Sequence, residues 1–203
     1  MPLVLEGLVS TLDAGGGPHL APMGPHVPAP AFDRFTLRPF PTAQTYRNLL
    51  AHGEGVLHVT DDVLLLAKAA VGAVEPPPAW EPAECVRGRV LADCCRFYEF
   101  RVTAVDESEP RARVEAVVVR AGWRRDFFGF NRARHAVVEA AVLATRTALL
   151  PAEEIAAEYR RLAVVVDKTG GPDEKAAMAL LQAHVDTGST KSQIPNPKPD
   201  PEE

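Results

Sequence analysis

Arg38, Thr42, Thr45 and Asn48 lie close together in the stretch TLRPFPTAQTYRN, where a strand pattern gives way to a helix pattern. A guanidinium, two hydroxyls and an amide are donors that suit a phosphomonoester. A helix start adds unsatisfied N–H groups and a partial positive charge. Pro39 and Pro41 stiffen the turn in between. Asn48, one turn further on, reaches the same anion or a hydroxyl of the same ligand. These residues also fit a plainer arrangement, in which Thr42 caps the helix and Arg38 is a solvated strand end. The pattern alone leaves both open.

Two further stretches carry candidate residues. In HLAPMG, the segment Ala21, Pro22, Met23 and Gly24 leaves a strand with little side-chain chemistry but a backbone open to close approach. Its amides suit the polar edge of a flat ring; the alternative is an ordinary strand exit with Met23 in the core. In GWRRDFFGFNRARH, three phenylalanines surround Gly129 just ahead of a helix whose expected cap is Asn131, followed by Arg132. This knot either closes a ring pocket or a dimer seam, or simply pins the helix to the body of the protein.

Other chemistries are disfavoured. Lys168-Thr169 lacks the glycines of a phosphate loop, no histidine falls in an HExxH pattern, and no serine sits in a GxSxG elbow. Cys85, Cys94 and Cys95 are an odd count with two adjacent, a poor disulfide framework without metal-ligand spacing. A net charge of -5 with interspersed signs offers no basic stripe for nucleic acid. No apolar run approaches the roughly 20 residues of a membrane span. The N-terminus has no basic region and carries Glu6 inside its apolar run, unlike a signal peptide. These features place the chain in a reducing cytoplasm.

The elements that must position the candidates read as follows. Residues 3–11 form a strand ending at the turn DAGGGP, PHVPAPAF is a loop, and FDRFTLRPF alternates as a strand. A helix starts at Thr42 and stops at Gly53, GVLHVT is a strand, and DDVLLLAKAAV is a helix with an Asp at its start. CRFYEFRVTAV and RARVEAVVVRAGW form a β-hairpin, with Tyr98, Phe100 and Val102 on one face and Phe97, Glu99 and Arg101 on the other. From Asn131 the period turns helical, with Val138, Val142, Thr145 and Leu149 as the stripe. A second helix begins at Pro151 with Ile155, Tyr159 and Leu162 on its apolar face. A third follows Gly170–Pro172, and the polar, proline-rich end reads as disordered. The chain is thus mainly β with helices, an α+β protein.

The set HLAPMG, LRPF, TYRNLL, VTDD and DFFGFNRARHAVVEAAVLATR resembles a family of uncharacterised archaeal and bacterial proteins within the FMN-binding split β-barrel superfamily, similar in fold to flavin reductases and flavoredoxin. The likeness covers about residues 3–165. It implies a six-stranded antiparallel split barrel with flanking helices and a C-terminal helical extension, divided into a barrel domain (1–150), the extension (151–186) and the tail (187–203). It also implies a homodimer binding FMN near its interface, with Thr45 and Asn48 at the phosphate, Arg38 as a phosphate partner, and Ala21, Pro22, Met23 and Gly24 along the ring. Thr42 belongs with the phosphate set, and Asn131 and Arg132 with the pocket wall. The implied activity is that of an oxidoreductase or electron carrier with an unnamed substrate or redox partner, near one-carbon, pterin-linked metabolism. A non-catalytic module that stores, senses or delivers flavin is the alternative. One departure is that His58-Val59-Thr60 stands where flavin reductases often read Val-Asn.

Overall fold

The structure, a computed structural model, describes residues 3–28 and 32–192, without the side chains of 188–192. Two compact units divide the chain, residues 1–130 and 131–203. In the first, ten strands and two helices follow the order β1 (Leu3–Val4), β2 (Gly7–Leu12), β3 (Pro18–Met23), β4 (His26–Val27), β5 (Arg34–Leu37), α1 (Gln44–His52), β6 (Glu54–Val59), α2 (Val63–Ala70), β7 (Trp80–Pro82), β8 (Arg89–Leu91), β9 (Arg96–Asp106) and β10 (Arg113–Trp123).

Eight strands make one antiparallel sheet in the order β1-β4-β5-β10-β9-β6-β2-β3. The expectation of six strands is corrected by β1 and β4, each two residues long, which extend one edge. They arise because the N-terminal run is broken at Leu5-Glu6, and β3 is followed at once by Gly24-Pro25. In the sheet order, β1 and β2 sit near opposite edges, yet two residues join them, a reach of roughly 7 Å. The Leu5 N–H donates to Pro25 O (3.1 Å), joining the two connecting segments. A flat sheet cannot meet that constraint, so it rolls into an open half-barrel. The expected hairpin is present as β9 and β10, paired from Arg113↔Asp106 to Trp123↔Arg96 with two bulges.

The rolled interior holds the core: Val9, Phe35, Leu37, Tyr46, Leu49, Leu57, Phe100, Val114 and Ala116 are buried, with Met23, Tyr98 and Val102 packed on them. The face of β9 expected to point away is buried as well at Phe97 and Glu99. The reason is an unforeseen flap, the two-stranded β7–β8 pair formed partly from the stretch EPPPAWEP that reads as a rigid connection. Its loop donates the backbone N–H groups of Glu84 (3.1 Å) and Val86 (3.2 Å) to the Glu99 carboxylate. Arg120 Nη1 donates to the same carboxylate (3.4 Å). Buried charge is tolerated here because its lone pairs are met. The Phe97 ring lies directly on Gly122, flanked by the guanidinium groups of Arg120 and Arg124 at 5.4 and 4.9 Å from its centroid.

In the second unit α3 (Arg132–Ala144), α4 (Ala152–Thr169) and α5 (Pro172–Ser192) pack against one another. The α3 stripe is not the expected one. Ala133, Ala136, Val137, Ala140, Ala141 and Ala144 are buried, Val138 and Val142 are half-buried, and Leu149 is 69% exposed. Small side chains let helices approach closely, so the alanine face wins over the bulkier one. Tyr159 fills the space beside it, its hydroxyl donating to Ala140 O (2.7 Å). Helix α4 begins after Pro151 as expected, with Ile155 and Tyr159 buried and Leu162 half-buried. Helix α5 continues through residues 187–192, which the sequence assigns to a disordered tail; 193–203 lie outside the described residues.

The contact of Phe97 with Gly122 sets a test. A Cβ at Gly122 would lie 2.1 Å from Phe97 Cζ. Gly122→Ala therefore lowers stability by about 1–3 kcal/mol through overpacking, read as a reduced midpoint in urea unfolding. An unchanged midpoint would show that the ring has room to move.

Candidate functional site

Outward positions of β5 and β10 alternate with the core: Arg34, Thr36 and Arg38 against Phe35 and Leu37, and Arg113, Glu115 and Val117 against Val114 and Ala116. The flap covers the outer face over β2, β6 and β9. Beyond it a groove of about 700 Å³ is left open, lined among others by His26, Arg34, Thr36, Arg38, Thr103 and Arg113. Register brings them together, with His26 opposite Thr36 and Thr36 opposite Glu115. Each guanidinium also faces a carboxylate: Arg34 near Asp33 (4.0 Å), Arg113 on Glu115 (2.9 Å), and Arg38 on Glu109. The volume lies within the range of small-molecule clefts.

Arg38 stands one residue past β5, its side chain 25% exposed, and so between the groove and the turn that leads to α1. Thr42 is not the helix cap. Helix α1 begins at Gln44 with Ala43 as its N-cap and no side-chain cap bond. The Ala43 N–H is taken by Phe40 O (2.9 Å), which fixes the entry one residue later than the sequence indicates. Thr42 is exposed, and its carbonyl accepts from Arg47 Nη1 (2.7 Å). At the other end Gly53 closes the helix in the left-handed conformation, φ 65°, as expected.

Thr45 and Asn48 face inward, 1% and 3% exposed. Asn48 donates to Thr11 Oγ1 (2.9 Å) and accepts from Gln44 Nε2 (2.7 Å), tying α1 to β2. Ala21, Pro22 and Met23 form the end of β3, against which α1 packs, and Gly24 follows. All four are half-buried, with Met23 resting on the core. Two residues after Gly24 the chain reaches His26 and the groove. Asn131 caps α3 as expected, accepting from the N–H groups of Ala133 (2.8 Å) and Arg134 (3.1 Å) and donating to Thr169 O (3.1 Å). Arg132 is exposed.

Sequence reasoning missed Arg34, Thr36, Thr103 and Arg113. Their signal is the outward half of three alternating runs, β5, β9 and β10, whose apolar half marks the core. It also missed the cluster at Asp61, whose carboxylate accepts from Arg125 Nη2 (2.7 Å) and from the Phe128 N–H (3.0 Å), anchoring the aromatic segment. Beside it, burial and the Asp61 charge raise the Cys95 thiol, and burial pushes Cys94 up to about 12. Both thiols stay protonated and inert at neutral pH.

His58 is also accounted for structurally. It is fully buried under the flap, accepts the Leu91 N–H at Nε2 (3.1 Å), and so carries its proton on Nδ1, which donates to Leu8 O (3.2 Å). One neutral ring thus joins β2, β6 and β8. Among the described residues no group of His, Cys, Asp and Glu is arranged to hold a metal ion, and no helix is long and apolar enough to cross a membrane.

A groove of guanidinium and hydroxyl groups thus lies open on a rolled antiparallel half-barrel. The profile described as the N-terminal domain of a protein of unknown function, DUF447, matches residues 5–125, and the DUF447 profile for the remainder matches 131–183. The chain belongs to the DUF447 family, which places the resemblance seen in its motifs. Of the solved structures, the FMN-bound protein MM1853 of Methanosarcina mazei, also of DUF447, matches with a TM-score of 0.79 at 24% identity, covering 91% of this chain and 96% of that one. The 2-nitrobenzoate 2-nitroreductase NbaA of Pseudomonas fluorescens matches with 0.50 at 15% identity, covering 61% and 66%. BorF, the flavin reductase component of a bacterial two-component tryptophan halogenase, matches with 0.50 at 13%, covering 62% and 83%. These likenesses establish the fold. The curated proteins contain no match to the sequence.

The neutral His58 has a measurable consequence. Burial lowers its pKa to about 4 in the folded chain, against 6.5 as the ordinary value. Its contribution to stability is whole above pH 6.5 and is lost as pH falls toward 4, about 3 kcal/mol in all. Urea unfolding of the wild type and His58→Gln across this window reads it as the difference between their pH slopes. Parallel slopes would mean that the imidazole titrates as freely as in solvent.

Proposed function

We propose that this chain is a non-covalent FMN-binding flavoprotein, acting as a homodimer in the cytoplasm, with the phosphate end of the flavin at Arg38 and the head of α1. The observation that carries the reading is the groove. It lies between the two segments expected to hold the ligand, with Arg38 on one side and, on the other, His26 just beyond Ala21–Gly24. The FMN-bound state of the DUF447 relative, alike over nearly the whole of both chains, supports the same ligand. The donor set fits: guanidinium and hydroxyl groups meet a phosphate and a polyol, and the cleft volume accommodates a ligand of this size.

The flavin would supply hydride or electron transfer at its ring. The chain's part is to bind and orient it. Arg38 holds the phosphate, with Arg113 and Arg34 available along the groove; Thr36 and Thr103 offer hydroxyls; the Ala21–Gly24 backbone lies along the ring. Thr42 and the amides at the start of α1 complete the phosphate environment, and Thr45 and Asn48 shape it from beneath. The reaction is that of an oxidoreductase or electron carrier, with a pterin-related substrate as one candidate.

A second reading, a module that stores or delivers flavin without turning it over, is favoured by one observation: the Cys94, Cys95 and His58 side chains are buried, hydrogen-bonded within the protein and outside the groove lining. Mixing the loaded protein with NADH or NADPH separates the two, since an enzyme bleaches at a useful rate and a storage module stays coloured.

Purified protein mixed with FMN and desalted should retain flavin absorbance, and Arg38→Ala should weaken FMN binding by about 1.5–3 kcal/mol in a fluorescence titration. A protein left colourless would sink the flavin reading. Unchanged affinity in the variant would remove Arg38 from the site.

A further inference from the structure

His26 stands apart from most other polar side chains of the groove. Arg34, Arg38 and Arg113 each face a carboxylate, and the Thr103 hydroxyl donates to Glu115 O (3.3 Å). His26 is half-buried on β4 and makes no hydrogen bond or ion pair among the described residues. Its register partner is Thr36, whose hydroxyl is likewise without a partner among them. Directly opposed residues share a face of the sheet, with Cβ atoms about 5 Å apart. A polar side chain that bonds nothing in the fold adds little to stability there, so its use lies with what enters the groove.

Thr36 is two residues from Arg38 along β5, about 7 Å at the rise of a strand. The ribityl chain of FMN spans a similar distance and leads to the N1–C2=O edge of the ring. With the phosphate at Arg38, that edge comes level with His26. We propose that His26 sets the redox balance of the bound flavin: its imidazolium donates to the N1–C2=O edge and favours the reduced, anionic ring over the oxidised one. This rests on the flavin reading above and adds to it a residue and a pH linkage. A hydride donor, such as a reduced nicotinamide, delivers two electrons and one proton to N5. The ring gains no other proton, so one negative charge is left on N1–C2=O. The imidazole takes a proton from solvent as that charge forms, and no bond of the protein breaks. Reduction and protonation therefore favour each other.

The surroundings make the linkage specific to His26. On β1 its neighbours are Leu3 and Val4, which carry no charge, and past β1 the Glu6 carboxylate lies beside Gly24. On β5 and β10 stand Arg34, Arg38, Arg113 and Glu115, all engaged in ion pairs. Guanidinium groups stay charged throughout, and histidine is the side-chain type that changes charge near neutral pH. His26 is the one histidine of the groove lining.

The test uses the full chain loaded with FMN and reads the midpoint potential of the bound flavin against pH. Wild type, His26→Gln and His26→Lys are compared, with circular dichroism to establish that each is folded. Near neutral pH the glutamine variant should bind reduced FMN about tenfold less tightly relative to oxidised FMN, a fall of about 30 mV. The gap should close by about pH 9, because a neutral imidazole no longer offers charge. His26→Lys, which keeps its charge, should hold the higher potential out to that pH. Equal potentials in wild type and His26→Gln at every pH overturn the role of His26 and leave the flavin reading standing. So does a drop that does not vary with pH, or a lysine variant whose curve is the same as the wild type's. A wild-type protein that stays colourless with FMN overturns both readings.

Discussion

The crossing of the first two strands from one edge of the sheet to the other is the constraint from which the rest follows. Leu5-Glu6 and Gly24-Pro25 each carry the chain across in two residues, held by the bond from Leu5 to Pro25. Once the sheet must roll, it has a small interior and a large exterior. The interior is filled by the apolar half of every strand. The exterior has to be covered or used, and this chain does both. The β7–β8 flap seals one part with His58 and Glu99 as its buried fasteners, and the other part is the groove.

The fasteners show how polar groups earn a place in such a layer. Glu99 collects backbone donors from a loop that has no sheet to pair with, and His58 satisfies one acceptor and one donor from separate strands. Each replaces a missing segment of ladder, so orphaned backbone groups are met without water. The groove differs in that its guanidiniums are met by exposed carboxylates at its rim, which solvent or a ligand can replace.

Much of the fold was legible in the sequence because period and turn chemistry speak locally. The β9–β10 hairpin, an aspartate at the start of α2, the α1 stop at Gly53 and the cap at Asn131 all follow from neighbouring residues. The flap was not, since Trp80–Pro82 and Arg89–Leu91 are three residues each, too short for alternation to show. The α3 face was misjudged because alanine carries little apolar signal but packs closest. For the candidate site, Arg38 lines the groove. Thr45 and Asn48 lie on the face of α1 that packs on the barrel, where Asn48 bonds to Thr11. The hydrogen bond from the Tyr46 hydroxyl to Glu107 joins residues 61 positions apart, which no local pattern announces.

The order of pairing in the sheet also bears on how the chain is made. Strand β5 is held by β10, so residues 34–37 have no lateral partner on that side until residues 114–117 exist. At synthesis rates of ~5–20 residues per second, that interval is roughly 4–15 s. The N-terminal strands therefore emerge from the ribosome long before the barrel can close around them. During that wait their edges are open to any other strand, including those of a second nascent copy. The helical unit comes last and forms from sequence neighbours, so the slow, vulnerable step in biogenesis belongs to the barrel alone.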